Sequence, residues 1–478
     1  MNSGDSPSAF PHAAPAERVP QKSRDYRDSS AHARRVPVGV LTASSELARH
    51  QLMLHPQGRT ASMLNLQASL CLVNGRNQFS MTNYFLPVWI GALILLILIV
   101  QIPATAIVLS RLFKALNRHF PLEPHRPTPD LLGMVSVVVP TLNEAARISP
   151  CLSGLSRQSY EVREILVVDS NSTDGTGEMV QTTAQRDPRF RLITDDPLPA
   201  DWVGRPWALH TGFLHSSPKS EWVLGVDADT QPSPALAATL VKTAIAQGYD
   251  LISLSCQFIL KYPGELWLQP ALLITLIYRF GPPDTHPTSP ERVMANGQCF
   301  LCRRSVLEAM NGYTSAKGSF CDDVTLARHV AARGYKVGFL DGANLLKVRM
   351  YDGFRDTWEG WGRSLDLKDA SSVAQLWGDL GLLLAVQGLP LPILVLSLGC
   401  WRFLPLSNPL VLILLGLNLF WLTVRFALCG AITSAYDLSV AQGKWIFWLS
   451  PLADPLAVVR LFISASRKPT QWRGRVYP

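Results

Sequence analysis

The stretch Val135-Ser-Val-Val-Val-Pro-Thr-Leu-Asn-Glu144 is a run of apolar, mostly β-branched residues that ends in polar side chains. β-Branched residues favour strands, and a strand buried on both faces is apolar at nearly every position. Similar runs occur at residues 165–168, 222–226 and 251–254, with helix-like stretches between them. Strands that alternate with helices are typical of βαβ units, so the sequence predicts an α/β domain with a parallel sheet over residues 130–370.

The composition indicates that part of the chain avoids water. Charged residues make up 17% of the 478 residues and hydrophobic residues 47%, whereas a soluble domain has about 25% charged residues. The 8 cysteines are too sparse for a disulfide-stapled fold. A net charge of +8 would suit nucleic acid, but the basic residues flank apolar stretches, where anionic lipid and membrane orientation explain them better. We therefore expect a membrane partner and no nucleic-acid partner.

Several apolar stretches predict membrane-spanning segments. The charge-free stretches long enough to cross a bilayer are residues 85–109, 380–401 and 403–424. A further apolar stretch, residues 445–464, contains Asp454 and Arg460, so we expect an interfacial or re-entrant segment with these two side chains paired or facing the protein. A third carboxy-terminal crossing fits the hydropathy equally well. Residues 1–80 have no apolar periodicity and are predicted to form a disordered amino-terminal extension.

Basic residues follow the first predicted span at Arg111, Lys114, Arg118 and Arg126. Because the cytoplasmic flanks of membrane spans are rich in Lys and Arg, this pattern places the α/β domain in the cytoplasm, where nucleotide-activated substrates are found. The sequence thus predicts an integral, multi-pass membrane protein with a cytoplasmic catalytic domain.

Polar residues follow the first two predicted strands at the edge where ligands of open α/β sheets bind. Thr141 and Glu144 come after the first strand, where the alternative is a plain strand end with Asn143 capping a helix. Asp169 ends the second strand and could accept hydrogen bonds from a base and a ribose. An Asx turn explains Asp174 better than a functional role does.

Two acidic pairs are the strongest candidates for chemistry. Asp227 and Asp229 follow a predicted buried strand without a basic neighbour in the sequence, and like charges so close are unfavourable unless a cation lies between them. Carboxylate oxygens there suit Mg²⁺ or Mn²⁺ bridged to a diphosphate, the alternative being a solvated acidic turn. Asp322 and Asp323 begin a predicted amphipathic helix. A carboxylate at this position could act as general base for an acceptor hydroxyl, although Asp322 could also be only the helix N-cap.

Four motifs occur in order along the chain, namely Pro-Thr-Leu-Asn-Glu144, Val-Asp-Ser-Asn-Ser-Thr-Asp-Gly-Thr176, Asp-Ala-Asp229 and Cys-Asp-Asp323. In this order they resemble the family 2 glycosyltransferases of GT-A fold over residues 130–370. The stretches Asp-Trp-Val-Gly-Arg-Pro-Trp-Ala208, Trp-Glu-Gly-Trp-Gly-Arg363 and Trp-Arg-Gly-Arg-Val-Tyr477 resemble the membrane-anchored branch that glycosylates carotenoids, hopanoid-type lipids or ceramide. Within that branch the chain is most similar to carotenoid 2′-O-glycosyltransferases of the myxol type.

The resemblance implies a Rossmann-like GT-A nucleotide-diphospho-sugar transferase domain with flanking transmembrane helices. It also implies roles for single residues, which are Thr141, Glu144 and Asp169 around the uridine, Arg205 near the base or phosphates, Asp227 and Asp229 on the metal, Asp227 also on the nucleotide sugar, and Asp323 as base. Many relatives have Lys in place of Arg205, which keeps the charge and changes the geometry of donation.

One family motif is absent from this chain. Relatives close the acceptor site with Gln-x-x-Arg-Trp, whereas this chain contains no Arg-Trp dipeptide and has Arg355-Asp-Thr-Trp-Glu-Gly-Trp361 at that place. The residues that we expect on the acceptor side are Arg355, Trp358, Trp361 and Arg363. Processive polymer synthesis is correspondingly disfavoured.

Further apolar residues indicate where an acceptor binds. The stretch 266–280 is too short to cross a bilayer and too apolar for a soluble surface, so it is expected to be an interfacial segment beside the active site. Trp358, Trp361 and Trp377 suit the headgroup level, the alternative being that they pack in the cytoplasmic core.

These observations predict an inverting, metal-dependent hexosyltransferase that uses a UDP-sugar donor and Mg²⁺ or Mn²⁺. The expected acceptor is a hydroxyl of a lipid-soluble molecule, with a hydroxylated carotenoid favoured. Three alternatives stay open, namely a transferase for another lipid such as a hopanoid, ceramide or diacylglycerol, a polysaccharide synthase, and a non-catalytic membrane scaffold.

Overall fold

The computed structural model describes residues 86–114, 121–365, 367–467, 471–472 and 475–476. The predicted extension over residues 1–80 lies outside the described residues. The strands in chain order are β1 (Val135–Thr141), β2 (Val162–Asp169), β3 (Phe190–Thr194), β4 (Trp222–Val226), β5 (Thr230–Pro232), β6 (Leu251–Ser255), β7 (Gln257–Ile259), β8 (Cys299–Arg303), β9 (Val337–Asp341), β10 (Leu346–Val348), β11 (Tyr436–Asp437), β12 (Gln471–Trp472) and β13 (Arg475–Val476).

The helices in chain order are α1 (Val88–Lys114), α2 (Ser149–Ser156), α3 (Thr176–Arg186), α4 (Gly204–His215), α5 (Leu236–Gln247), α6 (Pro263–Phe280), α7 (Arg304–Ala309), α8 (Asp322–Ala332), α9 (Gly353–Ser364), α10 (Val373–Leu383), α11 (Pro390–Gly399), α12 (Pro409–Ala431) and α13 (Asp454–Ser466). The predicted alternation of strands and helices is therefore present from β1 onward, and it builds the α/β domain.

A seven-stranded sheet with the strand order β3-β2-β1-β4-β8-β6-β9 forms the centre of this domain. All neighbouring strands run parallel except β8, which is antiparallel to both β4 and β6. The expectation of a wholly parallel sheet is therefore wrong at one strand. The apolar sequence of β8 is that of any buried strand, and it carries no information about direction.

Both faces of the sheet are covered, because alternate residues of each strand point to opposite sides. Val137 and Val139 of β1 lie in one apolar core, whereas Val138 packs with Leu209 of α4 in a second core on the other face. Helix α4 approaches closely at Gly212, where an added Cβ would lie 2.3 Å from a methyl group of Val138. The continuous apolar run in β1 thus reflects burial on two sides.

The parallel register brings the polar strand ends together. Thr141 at the end of β1 pairs with Asp169 at the end of β2. Strand β4 lies parallel to β1 on its other side, and Asp227 is the first residue after β4. These three residues therefore lie at the same edge of the sheet, which is where such sheets bind ligands.

A second, four-stranded sheet has the order β11-β7-β10-β5. Its strand β5 begins directly after Asp229, and its strand β11 follows the long apolar helix α12. The Lys347 ammonium of β10 lies 2.6 Å from the Asp437 carboxylate of β11. This small sheet therefore connects the acidic edge of the central sheet to the apolar helices.

Among the described residues, three helical segments are long and apolar enough to cross a membrane, namely α1, α12 and the segment Lys444–Ser466. A fourth candidate is the pair Val373–Gly388 and Pro390–Gly399, which is bent by 40°. The stretch predicted as a span at 380–401 is not one continuous α-helix, since a π-helical turn at Leu384–Gly388 and then Pro390 interrupt it.

Two predicted span boundaries also differ from the observed helices. The span predicted at 403–424 is helical from Pro409 to Ala431, because the Asn408 side chain accepts a hydrogen bond from the Leu410 N–H at 2.9 Å and caps the helix there. The span predicted at 85–109 begins at Val88 and continues to Lys114. Arg111 and Lys114 lie in its last described turn, and basic side chains are favourable near the carboxyl end of a helix.

In the segment Lys444–Ser466, the Asp454 and Arg460 side chains face the protein, as expected. Its Asp454 carboxylate lies 2.9 Å from the Arg425 guanidinium of α12 and is buried. Arg460 donates a hydrogen bond to the Trp358 carbonyl at 2.7 Å. Neither charge is directed toward an apolar exterior.

Helix α6 is buried within the protein, and the expectation that this stretch is interfacial is wrong. Leu266, Leu272 and Ile274 have no exposed surface. The Trp267 indole donates a hydrogen bond to the Leu449 carbonyl at 3.1 Å, so the segment Lys444–Ala453 covers this helix. A helix that is apolar on all sides is buried equally well by protein and by lipid, and the sequence does not distinguish the two.

Candidate active site

The loops after β1 and β2 hold each other in place. Asn143 adopts a positive φ of 56°, and its side-chain oxygen accepts a hydrogen bond from the Thr173 N–H at 2.9 Å. Asn143 is therefore not a helix cap, and α2 begins after Ile148. The Asp174 carboxylate accepts from the Thr176 N–H at 3.1 Å and from the Ala145 N–H at 2.9 Å. The Asx-turn interpretation of Asp174 is confirmed, and the residue also joins the two loops.

A polar cavity of about 430 Å³ lies at this edge of the sheet. The predicted site residues that line it are Thr141, Glu144, Arg205, Asp227 and Asp229. Asp169 lies directly behind, where it accepts a hydrogen bond from the Thr141 hydroxyl at 3.1 Å and from the Ser172 N–H at 3.1 Å. The structure therefore brings together the residues that we expected around a nucleotide sugar.

Arg205 contacts two predicted carboxylates at once. Its Nη2 and Nε donate to Asp227 Oδ1 at 2.9 Å and 3.1 Å, and its Nη1 pairs with Asp322. Its Nη2 also donates to the Gly297 carbonyl at 2.7 Å. Burial opposes the charge of Arg205, but Asp227 and Asp322 outweigh this and raise the pKa of the guanidinium well above its usual value. The side chain is therefore permanently charged.

This geometry corrects one expectation from the sequence. Asp227 and Asp229 follow β4 without a basic residue nearby in the chain, yet Arg205 reaches Asp227 from the start of α4. The cation beside Asp227 is thus supplied by the fold, and it comes from 22 residues earlier in the chain. Arg205 still lines the cavity, so a contact with the phosphates of a bound ligand stays a prediction.

The acidic edge fits a divalent cation that is held partly by the substrate. Asp227 and Asp229 line the same cavities, and carboxylate oxygens are the ligands that Mg²⁺ and Mn²⁺ prefer. The described residues contain no group of three or more side chains of the usual ligand types arranged around one metal position. A cation at Asp227 and Asp229 would therefore need further oxygen ligands from a bound diphosphate and water.

The second acidic pair lies on the opposite wall of a larger cavity of about 1190 Å³, which Asp227 and Asp229 also line. Asp322 is not the N-cap of α8, because that position is Cys321. Burial, opposed by Arg205, raises the pKa of the Asp322 carboxyl. Burial and the charge of Asp322 raise the pKa of Asp323 to about 7. A carboxylate with such a pKa is well matched to taking up a proton near neutral pH.

Asp323 also lines an apolar cavity of about 690 Å³. The side chains that form most of its surface are Phe258, Leu273, Leu276, Met294, Phe339 and Trp361. Trp361 is 5% exposed and donates a hydrogen bond to the Met350 sulfur at 3.2 Å. The packing alternative for this tryptophan is therefore correct, and the residue lies where an apolar acceptor would bind.

The other predicted acceptor-side residues lie elsewhere. Arg355 is 90% exposed, forms an ion pair with Glu359 at 2.9 Å and lines neither cavity. Trp358 stacks on Phe354 and under Arg460, away from both cavities. Trp377 is 48% exposed, as an interfacial residue would be. The Arg363 side chain lies outside the described residues.

Sequence reasoning missed several residues of the site. Gly297 provides the space for the Arg205 guanidinium, since an added Cβ would lie 2.5 Å from Nη2. Leu273 and Leu276 of α6 form a wall of the apolar cavity, and their spacing of three residues on one helix face was the available signal. Met350 and Tyr351 line both cavities from the loop after β10. A single sequence gave no sign that this loop reaches the site.

Comparison with known proteins finds a family match and several relatives. Residues 136–310 match the family described as Glycosyl transferase family 2. A 4,4′-diaponeurosporenoate glycosyltransferase from Staphylococcus haemolyticus is 25% identical over 241 residues, which cover 50% of this chain and 62% of the relative. An undecaprenyl-phosphate 4-deoxy-4-formamido-L-arabinose transferase from Pseudomonas aeruginosa is 32% identical over 126 residues, which cover 25% of this chain and 35% of the relative.

Among solved structures, a mannosyltransferase from Pyrobaculum calidifontis in complex with GDP-Man and Mn²⁺ is 20% identical, with a TM-score of 0.43, and the match covers 77% of this chain and 99% of that chain. The chain spans less than two thirds of the length of both curated relatives, at 62% and 35%.

The fold is that of a Rossmann-like GT-A domain, as the sequence predicted. More narrowly, residues 136–310 are similar to the glycosyl transferases of family 2. This match contains Thr141, Arg205, Asp227 and Asp229. Asp323 lies beyond the matched residues, so its role rests on its position in the structure.

Proposed function

We propose that this protein is a membrane-bound, metal-dependent transferase that moves a hexose from a UDP-sugar to a hydroxyl of a lipid-soluble acceptor. The observation that carries this proposal is the position of Asp323. Its carboxyl lies in the wall of the larger cavity of about 1190 Å³, which Asp227 and Asp229 also line, and in the wall of the apolar cavity lined by Trp361. A base placed between a polar and an apolar cavity suits a reaction between a charged donor and an apolar alcohol.

Each carboxylate has a part in the proposed reaction. Asp227 and Asp229 would hold Mg²⁺ or Mn²⁺, which when bound offsets the charge that develops on the departing diphosphate. Asp323 takes the proton of the acceptor hydroxyl. The acceptor oxygen then forms a bond to the anomeric carbon as the bond from that carbon to the diphosphate oxygen breaks. This single displacement inverts the anomeric configuration and releases UDP.

Thr141, Glu144 and Asp169 are placed to bind the uridine end of the donor. They lie at the ends of β1 and β2, beside the cavity that Asp227 also lines. Asp169 is held in position by the Ser172 N–H and the Thr141 hydroxyl. A carboxylate fixed in this way can accept hydrogen bonds from a base N–H and a ribose hydroxyl without further rearrangement.

The membrane attachment follows from the apolar helices. Helix α1 has 27 residues and ends at Arg111 and Lys114. By the positive-inside rule, these basic residues support a cytoplasmic location for the end of α1 and for the GT-A domain after it. UDP-sugars would reach the polar cavity from that side, and the acceptor would come from the bilayer.

The favoured acceptor is a hydroxylated carotenoid. The relative from Staphylococcus haemolyticus is named for a diaponeurosporenoate acceptor, and the apolar surface around Asp323 suits a long hydrocarbon. A strain that lacks the gene, complemented with the wild-type chain, Asp323→Asn or the exposed control Asp130→Asn, tests the proposal. Mass spectrometry of pigment and lipid extracts should show a hexosylated species that returns with the wild type and Asp130→Asn only. Identical extracts from all strains would rule out a lipid-soluble acceptor.

A further inference from the structure

A second apolar cavity of about 620 Å³ lies next to the one that contains Asp323. Its wall is formed on one side by α6, through Leu273, Leu276 and Ile277, and on the other by the residues that follow α12, through Ile432 and Ala435. No predicted catalytic or donor-binding residue lines it. The proposed reaction therefore leaves this cavity without a role.

The two apolar cavities are separated by side chains that they share. Leu273, Leu276, Met294 and Phe339 line both. Leucine and methionine change rotamer readily, and methionine adapts its shape to what it contacts. Leu276 and Met294 are therefore the side chains whose rotamers would control a connection between the two cavities.

The two ends of the joined space have different surroundings. One end is at Asp323, beside the polar cavity. The other end is at Ala431 and Ser434, which are exposed. Ala431 is the last residue of α12, whose outer surface carries exposed apolar side chains such as Leu419 and Phe426. Clustered exposed apolar side chains on a long helix are the mark of a surface that contacts lipid.

We propose that the two cavities are one acceptor corridor, which leads from the surface of α12 to Asp323 and holds the hydrocarbon of the acceptor along its length. This inference rests on the proposed function, since it assumes that Asp323 receives the acceptor hydroxyl. The hydroxyl-bearing end lies at Asp323, and the remaining hydrocarbon passes Leu276 and leaves beside Ala435. A short alcohol occupies only the inner cavity, whereas a long one needs both.

The corridor predicts a variant that discriminates between acceptors by length. Ala435→Trp fills the outer cavity, which Asp323 does not line. Ser434→Trp is a second variant of the same cavity. Val440→Trp is the matched control, because Val440 is 54% exposed and lines neither cavity. All variants keep the donor site and the base.

The full-length protein in phosphatidylcholine nanodiscs is assayed with a mixture of UDP-glucose and UDP-galactose. The acceptors are hexanol and hexadecanol, and the quantity measured is the ratio of kcat/KM for hexadecanol to that for hexanol. Ala435→Trp and Ser434→Trp are expected to lower this ratio at least about tenfold, which is about 1.4 kcal/mol of discrimination. Val440→Trp should leave the ratio at the wild-type value. A ratio is insensitive to a general loss of folded protein.

An unchanged ratio in both outer-cavity variants would overturn the corridor and leave the proposed function standing. A wild-type protein that hydrolyses the UDP-sugars but glycosylates neither alcohol would instead contradict the proposed acceptor class, and the corridor with it.

Discussion

Burial of the Asp323 carboxyl opposes its ionised form. Burial and the Asp322 charge raise its pKa to about 7 from the usual 3.8. Asp323 must be ionised to accept a proton. As the pH is raised toward about 7, kcat/KM is therefore expected to rise about tenfold per pH unit, and above pH 7 it should level off. Asp323→Asn should lower transfer by roughly 10²- to 10⁴-fold while UDP binding is retained. A pH profile that stays flat through neutral pH would exclude Asp323 as the base.

The same shift predicts a gain in stability on removing the charge. The folded protein holds the Asp323 proton more tightly than the unfolded chain, so this group's contribution to the free energy of unfolding is full below the unfolded pKa of 3.8 and is lost as pH rises through about 7. Asp323→Asn should therefore raise the Tm at neutral pH and have little effect in acid. Glu308→Gln, an exposed change, is the control. A lower Tm at neutral pH for Asp323→Asn would contradict the direction of the shift.

Arg205 shows why arginine and lysine differ at this site. The planar guanidinium reaches Asp227, Asp322 and the Gly297 carbonyl together, whereas one ammonium group cannot span all three. Arg205→Lys is expected to lower kcat/KM by roughly one to two orders of magnitude. Arg205→Ala, which leaves buried Asp322 without its cation, should cost about 3–5 kcal/mol of unfolding free energy. Arg191→Lys is the control, because the Arg191 side chain is 51% exposed, and it should change neither quantity.

At the scale of an element, the segment that leads into β8 determines where Arg205 lies. An added Cβ at Gly297 would approach the guanidinium to 2.5 Å, so Gly297→Ala must displace it. The expected result is a loss of activity similar to that of Arg205→Lys, with a smaller effect on Tm than that of Arg205→Ala. Gly318→Ala is a matched control, because an added Cβ there meets no atom within 4 Å. Equal kinetics for the two glycine variants would show that Arg205 has room to move.

The elements that could be predicted are those whose apolar sequence follows from burial alone. Strands β1, β2 and β4 are apolar because they are covered on both faces, and their carboxyl ends locate Thr141, Asp169 and Asp227. The direction of β8 and the burial of α6 could not be predicted, because an apolar residue has the same sequence signature in a parallel strand, an antiparallel strand, a protein core or a bilayer. The ends of α12 followed from a cap at Asn408 that the hydropathy does not report.

Contacts between residues that are far apart in the chain also could not be predicted from the sequence. Arg205 and Asp322 are 117 residues apart, and only the approach of α4 to the start of α8 joins them. The identities of Asp227, Asp229 and Asp323 could be predicted because motifs are local. The pKa of Asp323 depends on the charges around it, and the tertiary fold brings those charges together from distant parts of the chain.

For the molecule as a whole, the GT-A domain and the apolar helices are parts of one compact unit, which extends from Thr82 to Pro478. The sheet that contains β5 and β11 links Asp229 to the residues after α12. The Lys347–Asp437 ion pair joins two strands of this sheet, β10 and β11. Backbone pairing therefore connects the residues after α12 to the segment that follows Asp229. The proposed transfer to an acceptor in the bilayer would need such a fixed relation between the apolar helices and the acidic edge of the central sheet.

The buried ion pair between Arg425 and Asp454 tests whether the last apolar segment must stay docked for activity. The two side chains are 3% and 6% exposed and lie 2.9 Å apart, and Gln387 donates to Asp454 at 3.2 Å. Removing one partner leaves the other charge buried, so Arg425→Leu is expected to cost about 3–5 kcal/mol. The double change Arg425→Leu with Asp454→Leu should recover most of this loss, since apolar side chains can replace a buried pair.

Thermal unfolding in detergent and transfer to hexadecanol measure the two consequences of this double-mutant cycle. The exposed change Arg402→Leu, at the turn between α11 and α12, is the control and should be neutral in both. Stability and transfer should both fall in Arg425→Leu. If both recover in the double variant, the ion pair contributes only by keeping the two helices docked. Recovery of stability without recovery of transfer would assign the pair a part in handling the acceptor, because docking alone would then be insufficient.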